Sequence, residues 1–219
     1  MRLFLDSAKT DEIAQALAAW DIDGITTNPR HVRDSGKPFR QVIREIASLV
    51  QGTDKPVSVE VNPHWTDWET IVREGLELRE LSPNFVIKVG ASEQGFRAMR
   101  ELVRQGVRVN ATLIFSAAQA WHAARVGATY ISPFLGWREA YGDEARGLLA
   151  DTLSLLRVHG YRSEVIAAAI RNTRQLVDAA AAGAHCATAA YAVWQESFRN
   201  PYTDQGERMF RDAWDATPS

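Results

Sequence analysis

The sequence predicts a single α/β domain folded as a (β/α)8 TIM barrel, with one extra helix at its C-terminal end. Short apolar segments alternate with longer amphipathic ones, and this alternation occurs eight times within 219 residues. Eight strand–helix units in a chain of this length are typical of a compact barrel. A doubly wound parallel sheet is the alternative, and the count of eight favours the barrel. We therefore expect residues 1–219 to form one domain.

Eight segments have the short, mostly apolar character of strands that are covered on both faces. The predicted strands are Arg2–Leu5, Gly24–Thr26, Val57–Val61, Phe85–Val89, Arg108–Thr112, Tyr130–Ser132, Glu164–Ala167 and His185–Thr188. The segments that follow them have apolar residues at helical spacing. The predicted helices are Glu12–Trp20, Phe39–Val50, Asp67–Leu81, Glu93–Gln105, Ala117–Val126, Glu144–His159, Thr173–Ala182 and Tyr191–Phe198.

Local signals support several helix boundaries. Ser92 and Ser116 precede helical segments, as capping residues do, and glycines follow four of the helices. Pro201 opens one further helical segment at about 201–215, which is the predicted C-terminal helix.

The composition is that of an ordinary soluble globular protein. Apolar residues make up 46% of the chain and the net charge is −2, so no basic surface for nucleic acid or an anionic membrane is expected. Because there is a single cysteine, an internal disulfide is excluded. The apolar stretch before Asp6 is too short for a signal peptide, and no apolar run reaches membrane-spanning length, so we expect a cytoplasmic protein.

One lysine stands out from the other basic residues. Only four of the 25 basic residues are lysines, and Lys88 alone lies in an apolar run, between Ile87 and Val89. A buried amine is costly unless it is paired or functional. Lysine can lose its proton and act as a nucleophile, whereas arginine cannot. A structural or solvated lysine is the alternative.

Polar residues lie at the C-terminal ends of the predicted strands, which face the active site of a (β/α)8 barrel. They are Asp6, Thr26, Thr27, Asn28, Glu60, Lys88, Asn110, Thr112, Ser132 and Arg171. An amine, two carboxylates, two amides and several hydroxyls at one mouth are the groups that Schiff-base sugar chemistry requires.

The roles of these groups follow from that chemistry. Lys88 would form an iminium with a ketose, and burial in an apolar strand would lower the pKa of its amine. Asp6 would take the proton of the C4 hydroxyl, and Glu60, through a water held by Thr112, would move protons at the iminium. Asn28 and, from another strand, Asn110 offer hydrogen bonds to the sugar.

Simpler interpretations remain open for these residues. Asp6 is also placed to cap the following helix, and Thr26–Pro29 is also a plausible turn. The five histidines have no metal-ligand spacing, so no metal is expected, and no glycine-rich phosphate loop is present.

Several motifs in one order resemble a known family. The sequence resembles the small transaldolases and fructose-6-phosphate aldolases over nearly its whole length. The segments that carry the resemblance are LFLDSAKTDEI, GITTNP, FVIKVGASEQGFRAM, VNATLIFSAAQA, YISPFLG and NPYTDQGERMFRDAW. The resemblance implies Lys88 as nucleophile, Asp6 as acid/base at the C4 hydroxyl, and Glu60 with Thr112 as the proton-transfer pair. It implies no cofactor.

The resemblance also implies a substrate site and a reaction type. The substrate-binding residues would be Thr26, Asn28, Asn110, Ser132, Phe134, Arg171, Arg138 and Arg30. Glutamate and phenylalanine at the places of Glu60 and Phe134 are similar to transaldolases, whereas the aldolases have glutamine and tyrosine. Transfer to an aldehyde is therefore favoured over release of free dihydroxyacetone. A non-catalytic sugar-binding barrel is a third hypothesis.

The phosphate end departs from the family pattern. Trp137 stands where transaldolases usually carry an arginine, with Arg138 one residue later, and Ala169 replaces a serine. Arg171 remains, and Arg30 is an additional cation. Either Arg30 or Arg138 replaces the missing arginine, or the substrate differs at its far end. The partner is in either case a sugar or sugar phosphate of carbohydrate metabolism. An unchanged substrate fits the pentose phosphate pathway, and a different one fits a specialised pathway that builds an unusual sugar.

The resemblance further implies a homo-oligomer, a pentamer or decamer. In such an assembly the C-terminal helix at about 201–215 packs on a neighbouring subunit.

Overall fold

A computed structural model describes residues 1–143 and 145–218. Eight strands lie in order along the chain. They are β1 (Arg2–Asp6), β2 (Gly24–Thr26), β3 (Val57–Glu60), β4 (Phe85–Gly90), β5 (Val109–Ile114), β6 (Tyr130–Pro133), β7 (Glu164–Ile170) and β8 (Cys186–Ala189). The helices are α1 (Thr10–Trp20), α2 (Pro29–Asp34), α3 (Phe39–Leu49), α4 (Trp68–Arg79), α5 (Glu93–Arg104), α6 (Ala117–Arg125), α7 (Leu135–Ala140), α8 (Ala145–Val158), α9 (Thr173–Ala182), α10 (Tyr191–Ser197) and α11 (Pro201–Asp215).

The strands form a closed parallel barrel in the order β1 to β8, and β8 pairs with β1. This confirms the predicted (β/α)8 barrel. The strands are almost entirely buried because side chains of the barrel interior cover one face and helices cover the other. We call the C-terminal ends of the strands the mouth of the barrel and their N-terminal ends the bottom.

Two short helices were not predicted, and both lie at the mouth. The first, α2, begins at Pro29, and the side chain of Asn28 caps it by accepting the backbone N–H of His31. Asparagine before proline is a strong helix start, so the interpretation of Thr26–Pro29 as only a turn is wrong. The second, α7, directly follows β6.

Two strands are longer than predicted because each contains a bulge near the mouth. The register of β5 shifts between Ala111 and Ile114, and that of β7 shifts between Ala167 and Ile170. Leu113 has φ 57° and Ala169 has φ 56°, the left-handed backbone region that few residues other than glycine adopt. Such bulges interrupt the strand alternation and redirect the chain beside a site.

Helix boundaries differ from the predicted ones by at most two residues. For example, α1 begins at Thr10 rather than Glu12, and α9 has the predicted bounds. The predicted start of α8, Glu144, lies outside the described residues, and the structure gives this helix as Ala145–Val158.

The predicted C-terminal helix is present as α11. Asn200 caps it and Pro201 is its first residue. No residue of α11 is buried. Three of its exposed residues have large apolar side chains: Tyr202, Phe210 and Trp214 are 83%, 76% and 80% exposed. In the part of the chain that the structure describes, α11 included, no helix has both the length and the apolar character needed to cross a membrane.

Candidate active site

The mouth of the barrel contains a cavity of about 690 Å³. Nine of the twelve predicted site residues line it. They are Asp6, Thr26, Asn28, Arg30, Glu60, Lys88, Ser132, Phe134 and Arg171. Asn110, Thr112 and Arg138 are not among the lining residues. These nine residues come from six of the strands or the loops that follow them, and they converge as the barrel topology predicts.

Lys88 lies in the middle of β4 with its side chain only 5% exposed. Its Nζ donates to the Thr27 carbonyl oxygen at 2.9 Å and lies 3.2 Å from Glu60 Oε2. Glu60 and Lys88 are neighbours in the register of β3 and β4, so the sheet itself brings the pair together. A lysine ammonium has three N–H donors, and only two contacts of Lys88 Nζ are described above. Because Lys88 also lines the cavity, its amine can reach a bound substrate.

Asp6 ends β1, directly beside Thr26 in the register of β2. Its Oδ1 accepts from Thr26 Oγ1 at 2.7 Å, and its Oδ2 lies 3.0 Å from His31 Nε2. The residue at the cap position of α1 is Lys9, which makes no side-chain cap bond. The alternative of Asp6 as the cap of the following helix is therefore wrong.

The pKa of Asp6 reflects opposing influences. Burial raises the pKa of this carboxyl, whereas the hydrogen bond and charge of His31, the charge of Lys88 and the hydrogen bond from Thr26 lower it. The net effect is a pKa below the ordinary value. Asp6 is therefore ionised at neutral pH, which is the form that can accept a proton.

A second hydroxyl continues the hydrogen bonds of Asp6. Thr188 Oγ1 lies 2.6 Å from Thr26 Oγ1. Because the Thr26 hydroxyl proton goes to Asp6, the Thr188 hydroxyl is the donor in this pair. Thr188 also lines the cavity, on β8.

A row of polar side chains connects three strands inside the barrel. Asn110 is fully buried, donates to Ser58 Oγ at 2.9 Å and accepts from Ser132 Oγ at 2.8 Å. Of these residues, Ser132 lines the cavity. Asn110 therefore holds the Ser132 hydroxyl from the layer of side chains beneath the cavity wall. Thr112 is also fully buried, and its Oγ1 has no hydrogen-bond partner among the described residues.

Aromatic rings form one wall of the cavity. The ring centroids of Phe115, Phe134 and Trp137 lie 5.6–5.9 Å from one another. Trp137 is 43% exposed and lines the cavity, at the place where an arginine is usual in the resembled family. Arg138 instead donates to the Phe115 carbonyl oxygen at 3.2 Å, and its Nε lies 3.8 Å from Asp143 Oδ2.

The bulge of β7 and the start of α7 are packed directly against each other. A Cβ on Gly136 would lie 2.2 Å from the Ala169 carbonyl oxygen, so only glycine fits there. This close approach brings Trp137 and Arg171 to the same side of the cavity, since the same Cβ would also lie 3.0 Å from Arg171 Cγ.

Two arginines that line the cavity give it positive charge. The Arg171 guanidinium has no hydrogen-bond or ion-pair partner within residues 1–143 and 145–218. Arg30 is 74% exposed, and its Nε lies 3.8 Å from Asp34 Oδ2. Both side chains are therefore available to an anionic substrate group. Among the described residues, no cluster of three or more histidine, cysteine, aspartate or glutamate side chains is arranged to hold a metal ion.

Comparison with known proteins identifies the family. The family model described as Transaldolase/Fructose-6-phosphate aldolase matches residues 3–217. The chain belongs to this family. The 6-deoxy-6-sulfo-D-fructose transaldolases of Priestia aryabhattai and Priestia megaterium are 47% identical over 218 residues, covering 99% of this chain and 96% of theirs. A probable transaldolase of Dictyoglomus turgidum is 41% identical over 218 residues, the whole length of both chains.

Membership of the transaldolase/fructose-6-phosphate aldolase family supports a transaldolase-type transferase activity. Sugars and sugar phosphates are the substrates that fit this family.

Two polar residues of the cavity, His31 and Thr188, were not predicted from the sequence. Thr188 was detectable as a hydroxyl near the end of a predicted strand. His31 lies two residues beyond the segment that was also interpreted as a turn, and only the helix α2 brings its side chain to Asp6.

Proposed function

We propose that the protein is a Schiff-base transaldolase that transfers a dihydroxyacetone unit from a ketose to an aldehyde. The observation that carries the proposal is Lys88, a buried amine at the cavity whose Nζ lies 3.2 Å from Glu60 Oε2. A carboxylate at this distance accepts a proton from the ammonium group or returns one to the oxygen that leaves. Lysine chemistry of this kind needs no cofactor.

The first half of the reaction forms the iminium. The neutral Lys88 amine attacks the ketose carbonyl, and the carbinolamine loses water with a proton supplied by Glu60. Thr112 would hold a water for this proton transfer, because its buried hydroxyl is otherwise unpartnered among the described residues. Ser132, held by Asn110, would bind a hydroxyl of the three-carbon unit, and Asn28 would bind another.

The second half breaks and remakes the carbon–carbon bond. The Asp6 carboxylate takes the proton of the C4 hydroxyl, the electron pair of the C3–C4 bond moves to the iminium, and C4 leaves as an aldehyde. The enamine on Lys88 then attacks the acceptor aldehyde, and Asp6 returns the proton to the new alkoxide. Both Lys88 and Asp6 border the same cavity, which supports this division of roles.

We propose that the enamine transfers its dihydroxyacetone unit to an aldehyde and does not release it as free dihydroxyacetone. Glu60 and Phe134 correspond to the residues that distinguish transaldolases from aldolases in the resemblance described above. An assay with donor but no acceptor distinguishes the two reactions. Dihydroxyacetone released at the rate of transfer would identify an aldolase instead.

We further propose that the donor has a sulfonate at its far end, as 6-deoxy-6-sulfofructose does. Two observations favour it: Trp137 and Ala169 occupy the phosphate end, and two 47% identical relatives carry that substrate in their names. A sulfonate carries one negative charge, whereas a phosphate monoester carries about −1.5 to −2 at neutral pH. Trp137 removes the cationic partner that is usual at its place, and the cations that line the cavity, Arg171 and Arg30, suit the lower charge.

Borohydride trapping tests the Schiff base. The protein is incubated with 6-deoxy-6-sulfofructose, fructose 6-phosphate or dihydroxyacetone, reduced with borohydride, and digested for mass spectrometry. We expect a reduced three-carbon adduct on the peptide that contains Lys88. An adduct on another lysine, or none with all three sugars, would overturn the proposed mechanism.

A matched pair of variants tests the donor. We expect the native protein to have a higher kcat/KM for the sulfonate than for fructose 6-phosphate. Trp137→Arg should raise kcat/KM for the phosphate by about tenfold, the effect of one charge-assisted contact. The control is Trp121→Arg, since Trp121 contacts Arg125 and does not line the cavity. A native preference for the phosphate would refute the sulfonate donor and leave the transaldolase proposal standing.

We also propose that the single barrel domain assembles with other copies through α11, as a pentamer or decamer. The large apolar side chains of α11 that are exposed in the single chain support this. Light scattering of the native protein should give a mass of five or ten chains. Phe210→Asp with Trp214→Asp should lower the mass, whereas a native monomer would contradict the proposal.

A further inference from the structure

His31 is the third residue of α2 and points to the carboxylate of Asp6. The distance from His31 Nε2 to Asp6 Oδ2 is 3.0 Å, and the two side chains are 24% and 18% exposed. His31 also lines the cavity. An ionised carboxylate only accepts hydrogen bonds, so His31 Nε2 carries the proton that is shared with Asp6.

The local structure holds this histidine in place. The backbone N–H of His31 donates to Asn28 Oδ1 at 3.0 Å, which is the capping bond of α2. Pro29 restricts the backbone at the first position of the helix. The chain between Asn28 and His31 is therefore closed by its own hydrogen bond, and the imidazole approaches Asp6 from a fixed backbone.

Asp6 consequently has a donor on each carboxylate oxygen. Thr26, from β2, donates to Oδ1 at 2.7 Å, and His31, from α2, donates to Oδ2. Two donors from different elements determine the rotation of the carboxylate about its terminal bond. Each oxygen accepts more than one hydrogen bond, so the carboxylate can still accept from a substrate hydroxyl.

We propose that His31 is a positioning residue for carbon–carbon bond cleavage and formation, which it serves by holding the Asp6 carboxylate toward the C4 hydroxyl. The inference rests on the proposed transaldolase function. In cleavage, Asp6 takes the C4 proton while the C3–C4 electron pair forms the enamine. In formation, the same carboxyl returns the proton to the new alkoxide. His31 keeps its Nε2–H throughout and neither gains nor loses an atom.

The positioning role of His31 is distinct from iminium formation, because Lys88 makes no polar contact with His31 among the described residues. Lys88 Nζ is bound to the Thr27 carbonyl and lies beside Glu60, and neither contact involves His31. The charged groups near the imidazole are Asp6 on β1, Arg30 and Asp34 on α2, and Lys88 beyond Asp6. Loss of His31 should therefore affect the step that uses Asp6 and leave the chemistry of the lysine in place.

Two substitutions and a control test the inference. His31→Leu removes the donor, and His31→Gln replaces it with an amide N–H at a similar distance from the backbone. The control is His64→Leu, because His64 is exposed and does not line the cavity. Two quantities are measured for each: the cleavage rate of the ketose donor, and the borohydride-trapped adduct with dihydroxyacetone, which has no C4 and does not need Asp6 for cleavage.

We expect His31→Leu to lower kcat for cleavage by about tenfold to a hundredfold, the cost of a misplaced catalytic group. The trapped dihydroxyacetone adduct and the melting temperature should match those of the native protein. His31→Gln should recover most of the cleavage rate, and His64→Leu should behave as native.

Three results would overturn the inference. They are a native cleavage rate in His31→Leu, a parallel loss of trapping and melting temperature in His31→Leu, and a His31→Gln variant no better than His31→Leu. Failure of the proposed function gives a different result, because then the native protein itself forms no adduct on Lys88.

Discussion

The mouth and the bottom of the barrel carry the same three charged residue types in different surroundings. At the mouth, Lys88, Glu60 and Asp6 have side chains that are 5%, 14% and 18% exposed, and all three line one cavity. At the bottom, the corresponding residues are Lys55, Glu164 and Asp23, which precede or begin strands β3, β7 and β2. None of these three lines the cavity.

The bottom residues have structural partners. Lys55 Nζ donates to the Ile22 carbonyl oxygen at 2.7 Å and lies 3.1 Å from an exposed carboxylate, and Asp23 accepts the backbone N–H of Leu3 at 2.7 Å. Glu164 pairs with Arg2, which lies over the rings of two buried aromatic residues. Charges at the bottom thus join segments of the chain. At the mouth, Lys88 and Glu60 contact each other and Asp6 contacts His31, and all of these residues line the cavity. Matched substitutions at the two ends test this difference.

The largest expected difference is between the two lysines. Lys88→Arg should reduce transfer by more than about 10⁴-fold, the order of loss when a covalent nucleophile is removed, because arginine keeps its proton. Lys55→Arg keeps the positive charge at a bottom contact, so its activity and melting temperature should stay near native. Steady-state kinetics and thermal unfolding measure both. Substantial transfer by Lys88→Arg would exclude this residue as the nucleophile.

Much of the mouth was predictable because the barrel topology converts strand ends into neighbours. Once β1, β3 and β4 are recognised, Asp6, Glu60 and Lys88 must meet at one end. The unusual lysine in an apolar strand was then enough to suggest the chemistry. Residues such as Asn110 were placed on the right strand, but sequence does not distinguish a cavity wall from the layer behind it.

The remainder depends on departures from regular strands and turns. The bulges at Leu113 and Ala169 put non-glycine residues at positive φ, which no residue preference predicts. They change which side chains beyond them face the cavity. Arg138 was expected at the far end of the substrate, but α7 directs it to the Phe115 carbonyl. His31 was not predicted because its role depends on a contact with Asp6, which lies 25 positions earlier in the chain.

The two aspartates should differ by a smaller factor than the lysines. Asp6→Asn keeps the shape of the side chain but removes the proton acceptor, so cleavage should fall by about 10²- to 10⁴-fold. The trapped dihydroxyacetone adduct on Lys88 should persist. Asp23→Asn retains an oxygen for the Leu3 N–H and should cost only about 1 kcal/mol of unfolding free energy, without loss of activity.

Two measurements are made on both aspartate variants. The rate of donor cleavage is measured in quenched assays, and the free energy of unfolding is measured from urea unfolding curves. Native cleavage by Asp6→Asn would assign the C4 proton to another group. A loss of chemistry in a folded Asp23→Asn would mean that the two ends are coupled.

The glutamates should show the smallest difference, and they test the comparison most finely. Glu60→Gln removes the carboxylate beside Lys88 Nζ but leaves an amide of the same size, the residue that the resembled aldolases carry. We expect transfer to fall by about a hundredfold, the low end of general acid–base effects, and released dihydroxyacetone to rise relative to transfer. Glu164→Gln weakens a pair whose side chains are 40% and 37% exposed, so unfolding free energy should fall by about 1 kcal/mol or less. Its transfer-to-release ratio should remain native, because only the glutamate at the mouth contacts the reacting amine. Equal changes of that ratio in both variants would mean that the proton chemistry is not confined to the mouth.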